Sequence, residues 1–407
     1  MRALKLLAVA VVGAFIGLTR SVDTAGFLFT HAPAAFSDIG GIEPLGALNP
    51  GDNHVLAVDH MYLQYPTPPG DPLTSYPVSV MGSGSIVMVT RERFDGRADY
   101  DYGVFIQHTR SITSYVLHLH VPNANLDGIL NSADPSAWIA VGSLQVMLLG
   151  QLGAPAPIPM SGGDFLGFTK NYSHAWDVGV IDTKVRGDFL GRGERRYPKI
   201  QDYMDLLGIV AEPPFAGQQT LNARCFLDYL PPGLRAMYER LLTGPNCGRA
   251  GWDVTGRLRG AWFNRSIDDE PVPPLRDLES GALSIIPDNR EPFTYVRLAF
   301  GAGSRFSAFD PDPDRPIGQL RNAFRVEIDR TPDTRINADP IEVRASGGTY
   351  CYDLPYHAPE GPRFNSVRFL VEGRQLRVKY DPTPFEAPQC ALLPPELPDD
   401  SWATYVR

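Results

Sequence analysis

Histidine is the residue type in this chain whose placement most clearly suggests chemistry. Of the eight histidines, six lie between residues 54 and 174, and only His31 and His357 lie outside that part. His118 and His120 are two residues apart in a strand-like segment, so their side chains are expected on one face of a strand. Imidazole is the commonest protein ligand of metals and a frequent general acid or base near neutral pH. The cluster indicates metal binding or proton transfer, although each histidine taken alone also fits an ordinary packed or exposed position.

The elements that would position these histidines are predicted to be β-strands. Runs rich in β-branched residues occupy 77–90, 102–121, 138–149 and 175–181. No convincing helical pattern separates them, which favours an antiparallel sheet or sandwich over a parallel βαβ sheet.

The rest of the chain is predicted to form two further parts. Apolar residues recur at helical spacing in 200–209 and 234–242, which predicts a short helical connector over 184–250. Strand patterns return over 251–407, with clear apolar-polar alternation in the segments FRVEI and LRVKY. The sequence thus predicts a mainly β protein: an antiparallel sandwich or barrel-like module, the connector, and a second all-β domain at the C-terminus.

Composition supports this fold class and argues against two classes of partner, nucleic acid and anionic membranes. The 407 residues are 43% hydrophobic and 20% charged, which suits folded domains rather than a disordered chain. The 39 glycines and 38 prolines favour short strands joined by many turns. A net charge of -9 offers no broad attraction for nucleic acid or for an anionic membrane surface.

The N-terminus has the pattern of a secretory signal peptide over residues 1–26. Arg2 and Lys5 precede an uninterrupted apolar run over 6–18, which is shorter than an ordinary membrane span. An extended lead-in is expected over 27–44. The predicted location is therefore secreted, periplasmic or in the cell envelope, with no membrane span in the mature chain.

The four cysteines are predicted to form structural disulfides. An oxidising compartment favours disulfides over free thiols or metal sites. Four cysteines allow three pairings. We favour Cys225 with Cys247 and Cys351 with Cys390, because each pair is close in sequence and falls within one apparent module.

Part of the chain resembles the lysostaphin-type zinc metallopeptidases, which are β-rich cell-wall endopeptidases with the duplicated hybrid motif fold. The resemblance covers roughly residues 45–183 and resides in short motifs. These are Asn49 to His54 with Asp59 to Tyr62, Pro77 to Val80 with Gly82, Gly84 and Val87, Val104 to His108 with Tyr115 to Leu119, Val141 to Leu144 with Leu149 and Gly150, and Ser173 to Val178.

The resemblance implies a zinc site and a peptidase activity. It assigns His54, His60 and Asp177 as metal ligands, because two imidazoles and one carboxylate form a sound catalytic zinc set. It assigns His118 and His174 to stabilisation of the charged tetrahedral intermediate. The implied substrate is a peptide of cell-wall peptidoglycan.

The chain also departs from the family pattern. His54 and His60 are six residues apart, whereas the family's first two ligands are four apart and the second is aspartate. The spacing from Tyr115 to His118 is one residue longer than in the family. The alternative function is therefore a catalytically inactive, peptidase-like binding protein of the envelope or the extracellular space, with a cell-wall peptide or glycan as partner.

Overall fold

The structure is a computed structural model that describes most of the chain. The described residues are 27–48, 55–67, 74–93, 99–141, 144–151, 153–171, 175–190, 221–264, 281–301, 323–331, 333–345, 348–358, 361–392 and 402–407. The predicted signal peptide over 1–26 and the predicted helix over 200–209 lie outside these ranges.

The described residues form twenty-one β-strands and two α-helices. The strands are β1 (Gly41–Glu43), β2 (Met61–Gln64), β3 (Ser75–Ser79), β4 (Gly84–Glu92), β5 (Asp101–Gln107), β6 (Ile112–Leu119), β7 (Val121–Pro122), β8 (Ile139–Val141), β9 (Leu144–Leu148), β10 (Ile158–Met160), β11 (Phe165–Lys170), β12 (Ala175–Asp182), β13 (Ala223–Arg224), β14 (Gly260–Asn264), β15 (Ala282–Pro287), β16 (Tyr295–Phe300), β17 (Ala323–Glu327), β18 (Thr349–Ala358), β19 (Gly361–Glu372), β20 (Gln375–Phe385) and β21 (Ala403–Val406). The helices are α1 (Ala124–Ser132) and α2 (Pro232–Glu239).

The first half of the chain forms a large antiparallel sheet. Its strand order is β1-β2-β12-β6-β5-β4-β9-β8, with β10 paired to β4 and β13 paired to β12. Strand β12 therefore lies in the interior of the sheet, between β2 and β6, although it follows them by many residues in the chain. A small second sheet has the order β3-β11-β7. This order brings distant segments of sequence side by side.

The C-terminal part forms an eight-stranded antiparallel sheet that is almost closed into a barrel. Its order is β17-β16-β15-β14-β21-β20-β19-β18. The two end strands, β17 and β18, lie close to each other, so few strand edges remain open. The mainly β, antiparallel fold class predicted from the sequence is confirmed.

Alternating burial explains why these segments become strands. In β2 and β16 the inward residues are buried while their neighbours are partly exposed, which gives one packed face and one wetter face. Trp176 is fully buried in the core of the first sheet, and Trp262 fills the barrel core with 1% exposure. Large aromatic side chains thus anchor both cores.

The structure corrects two details of the sequence analysis. Helix α1 lies between β7 and β8, where no helix was expected. The Asn123 side chain caps this helix by accepting a hydrogen bond of 2.8 Å from Leu126 N. Strand patterns are expected from residue 251 onward, but the first strand of this part begins only at Gly260.

Both predicted disulfides are present. The Cα atoms are 6.0 Å apart in the Cys225–Cys247 pair and 5.6 Å apart in the Cys351–Cys390 pair. Helix α2 lies between the first two of these cysteines, within the predicted connector. No helix among the described residues is long and apolar enough to cross a membrane.

Candidate functional site

The candidate site is built around Asp177 on the interior strand β12. Asp177 pairs with Tyr62 of β2 on one side and with Leu117 of β6 on the other. His60 immediately precedes β2, and His118 follows Leu117. The strand order therefore places one histidine on each side of a single carboxylate.

Two imidazoles converge on one oxygen of Asp177. His60 Nε2 lies 3.3 Å from Asp177 Oδ2, and His118 Nε2 lies 3.2 Å from the same oxygen. The side chains of His60 and Asp177 are 7% and 5% exposed, whereas that of His118 is 35% exposed. The site therefore has a buried floor and one histidine that faces solvent.

A β-bulge aims His118 at this floor. Leu119 pairs with Tyr102 and Val116 pairs with Val104, so Leu117 and His118 together face the single residue Gly103. His118 has a φ of 64°, which is uncommon for a residue with a side chain and marks local strain. A Cβ atom at position 103 would lie 2.3 Å from Thr90 Oγ1 and 2.8 Å from Leu117 Cδ2, so glycine there leaves room for both side chains. Bulges of this kind redirect side chains, often next to active sites.

Carboxylates hold the other nitrogen of each imidazole. His60 Nδ1 lies 3.0 Å from Asp59 Oδ1, and His118 Nδ1 lies 2.7 Å from Asp101 Oδ2. Each ring is therefore held between two carboxylates, with its Nε2 directed at Asp177. A carboxylate on the second ring nitrogen fixes the orientation of a histidine and raises the basicity of the first nitrogen.

The third histidine of the cluster, His120, lies at the edge of this arrangement. His120 Nε2 is 3.8 Å from Asp101 Oδ2, and its Nδ1 accepts a hydrogen bond of 3.2 Å from Lys170 N. His118 and His120 thus approach the same carboxylate, although the bulge interrupts regular strand alternation between them.

Tyr115 extends the network towards the protein interior. Its hydroxyl donates hydrogen bonds of 2.9 Å to Asp59 Oδ1 and 3.0 Å to Asp59 O. Its ring lies over its strand partner Gly179, where an added Cβ atom would be 2.0 Å from the ring. Glycine at position 179 therefore gives the Tyr115 ring the space that lets its hydroxyl reach Asp59.

The charges around His118 differ sharply from those around His108 near the far end of strand β5. Burial lowers the pKa of His118, but the Asp177 and Asp101 carboxylates outweigh burial and raise it well above its usual value. Burial lowers the pKa of His108 to about 4, and its contacts with backbone carbonyls only partly oppose this effect. His118 therefore readily holds a proton, whereas His108 stays neutral.

Three of the five predicted site residues meet in the structure. His60, His118 and Asp177 form the centre described above, while His54 and His174 lie outside the described residues. Among the described residues, no group of three or more His, Cys, Asp or Glu side chains is arranged to hold a metal ion. The predicted zinc set therefore stays a prediction.

Sequence reasoning missed the residues that orient the two imidazoles. Asp59 is adjacent to His60, and this Asp-His pair is a visible signal. Asp101 lies in an acidic segment that is typical of a solvated turn, and its partnership with His118 depends on the pairing of β5 with β6. Tyr115 gave no signal apart from its place in the family motif.

Comparisons with known proteins provide no family assignment. No protein-family model, curated protein or solved structure matches the chain.

Proposed function

We propose that this protein is an exported zinc-dependent endopeptidase that acts on peptides of the cell wall. The observation that carries the proposal is the convergence of His60 Nε2 and His118 Nε2 on Asp177 Oδ2. Residues that are far apart in sequence create this arrangement, and the bulge at His118 is retained despite its backbone strain. Strain of this kind is typical of functional sites.

Two of the described residues are suited to bind zinc. His60 and Asp177 supply an imidazole nitrogen and a carboxylate oxygen 3.3 Å apart, and these are two of the three ligand types in a catalytic zinc site. Asp59 holds His60 Nδ1, which leaves Nε2 for the metal. His54 is the proposed third ligand. When bound, zinc supplies a Lewis acid and lowers the pKa of a coordinated water.

The chain's own residues would orient the substrate and stabilise the negative charge that develops during hydrolysis. His118 is the half-open member of the site, and its Nε2 can donate a hydrogen bond to an oxygen that becomes negative during peptide hydrolysis. Asp101 keeps the ring in place through Nδ1. His174 is the proposed second group of this type. The buried carboxylates and imidazoles would keep these positions fixed before the substrate arrives.

The one-residue difference in the Tyr115–His118 spacing also supports the proposal. The extra residue lies in the bulge, where Leu117 and His118 face Gly103 alone. The bulge lets His118 reach Asp177 despite the longer spacing. An insertion of one residue is thus compatible with the placement that the family resemblance implies.

The proposed location is outside the cytoplasm, secreted or in the periplasm or cell envelope. Two disulfides fit an oxidising compartment. The basic start and apolar run over 1–26 fit a signal peptide.

A second candidate is a binding protein that has kept the fold and lost the chemistry. The departure of the His54 and His60 spacing from the family pattern favours it. For such a protein, the close contacts between Asp177 and both histidines are ion pairs that stabilise the sheet. In that case the site would bind a cell-wall peptide or glycan without cleaving it.

Digestion of purified peptidoglycan separates the two candidates. We expect the chain lacking residues 1–26 to release new amino groups from peptidoglycan, and His60→Ala and a chelator each to abolish this release. His108→Gln is the matched control, since His108 belongs to the same sheet but has no carboxylate partner in the described contacts. Binding of peptidoglycan without cleavage, unchanged by the chelator, would support the second candidate instead.

A further inference from the structure

A cavity outside the histidine site lies where the disulfide loop meets the barrel. Its volume is about 420 Å³, which is within the usual range for small-molecule sites. Its lining comes from the loop after Cys247, from the turn between β15 and β16, and from the segments after β17. The lining residues include Arg249, Trp252, Arg259, Phe293, Arg330 and Asp339.

Two of these residues carry buried hydrogen-bond donors. Arg259 Nε and Trp252 Nε1 are buried and have no hydrogen-bond partner among the described residues. A buried donor without an acceptor destabilises the fold. The Arg259 guanidinium lies 5.4 Å from the centre of the Trp252 ring. The Arg259 guanidinium lines the cavity and also carries two terminal amino groups, to which a ligand with acceptor oxygens can bind.

The charge of the cavity favours an anion. Arg249 is paired with Asp188 at 2.9 Å, and the Arg330 guanidinium donates to Phe293 O. Asp339 is the single carboxylate of the lining, against three arginines. Burial and the Arg249 cation lower the pKa of Arg259, and Asp339 and Asp188 only partly oppose them. An anion beside Arg259 would relieve this unfavourable placement.

The remaining walls are apolar. Val296 and Ile328 contribute aliphatic surface, and prolines contribute more. Phe293, at 70% exposure, is the most open aromatic side chain of the lining. A phosphate or sulfate ion alone would leave this apolar surface uncovered. The chemistry of the cavity therefore fits an anion that also carries an apolar part.

We propose that this cavity is a binding site for a carboxylate-bearing organic anion. The planar carboxylate accepts hydrogen bonds from the Arg259 guanidinium, since a guanidinium matches a carboxylate in geometry as well as charge. The apolar part of the ligand lies against Phe293. The carboxylate could belong to a peptide C-terminus or to an acidic sugar, which share this chemistry. This proposal is independent of the zinc site.

Isothermal titration calorimetry with N-acetylphenylalanine tests the proposal. This probe combines a carboxylate with an apolar ring, and its amide is the neutral counterpart. We expect the amide to bind at least about 10-fold more weakly, because charge-assisted hydrogen bonds contribute about 1.5–3 kcal/mol. Arg259→Gln should weaken binding of the acid by a similar factor. Arg374→Gln, an exposed arginine elsewhere, should leave it unchanged.

Further variants and probes keep the test decisive. Phe293→Ala changes an exposed side chain, so folding is preserved, and it should weaken binding about 3-fold or more. N-acetylmuramic acid binding more tightly than N-acetylphenylalanine would identify the acidic sugar as the source of the carboxylate. Equal binding of acid and amide, full binding by Arg259→Gln, or tighter binding of inorganic phosphate than of either acid would overturn the proposal.

Discussion

The large N-terminal sheet and the C-terminal barrel both bury carboxylates, but they give them different partners. In the barrel, Asp288 is fully buried and accepts a hydrogen bond of 2.6 Å from Arg297, with Arg325 at 3.4 Å. In the N-terminal sheet, Asp101 and Asp177 are met by imidazoles.

This difference separates structural from chemical sites. Arginine stays protonated at any ordinary pH, so its pairs with buried carboxylates are fixed. Imidazole gains and loses a proton near neutral pH and can also bind a metal. Buried carboxylates alone therefore do not mark the candidate site; their histidine partners do.

The largest effect is expected in the barrel. Arg297→Met leaves Asp288 buried with one fewer cation, and we expect it to lower the free energy of unfolding by about 3 kcal/mol. Chemical denaturation measures this loss. Arg235→Met is the control, because the exposed Arg235–Glu239 pair should contribute at most about 0.5 kcal/mol. Equal losses of unfolding free energy in both variants would show that the buried ion pair stabilises the protein no more than the exposed one.

The next effect is a dependence of stability on pH that is due to His108. The pKa of His108 is about 4 in the folded protein, below the usual 6.5, so the folded protein resists its protonation. The associated stability is complete above pH 6.5 and is lost as the pH falls towards 4. The loss should reach about 3 kcal/mol.

Unfolding curves of the protein and of His108→Gln at several pH values test this expectation. The variant should lose less stability between pH 6.5 and pH 4, because it lacks the group that must be protonated. Parallel pH dependence in the two proteins would contradict the low pKa of His108.

A smaller effect is expected on metal affinity. Asp59→Asn weakens the support of His60, a proposed zinc ligand, and we expect a 10- to 100-fold loss of zinc affinity, as is common for residues behind metal-site histidines. Asp353→Asn is the matched control, since this buried barrel carboxylate accepts from the backbone N–H groups of Gln389 and Cys390. Competition with a zinc indicator measures both. A loss of the same size in both variants would mean that Asp59 acts only through general stability.

The smallest effect concerns helix α1. Asn123→Ala removes the side-chain cap and should cost about 1 kcal/mol of stability. Asn123→Asp keeps an acceptor for Leu126 N and should cost less. Thermal unfolding of the two variants shows which loses more stability. A larger loss for Asn123→Asp than for Asn123→Ala would mean that the hydrogen bond from Asn123 Nδ2 to Phe165 O contributes most of the stability.

The sequence predicted most of the strands and both disulfides. Alternating segments such as those of β17 and β20 became strands because one face is buried in the barrel core. Helix α1 was missed because it is short and contains Gly128 and two asparagines, which are weak helix formers. Its cap and its packing stabilise it, and neither is visible in composition.

The sequence predicted part of the site but not its support. His60, His118 and Asp177 were named from motifs, yet the carboxylate behind His118 depends on strand pairing. Asp101 and His118 meet only because β5 pairs with β6 across a bulge. Such register effects cannot be deduced from local spacing, since one extra residue redirects every following side chain.

Zinc content of the purified protein, measured by elemental analysis, tests the central claim most directly. We expect about one zinc per chain in the protein and in His108→Gln, and no stoichiometric zinc in His60→Ala or Asp177→Ala. Absence of zinc after incubation with the metal, or unchanged zinc in both site variants, would contradict the zinc site and leave the imidazole–carboxylate contacts as ion pairs.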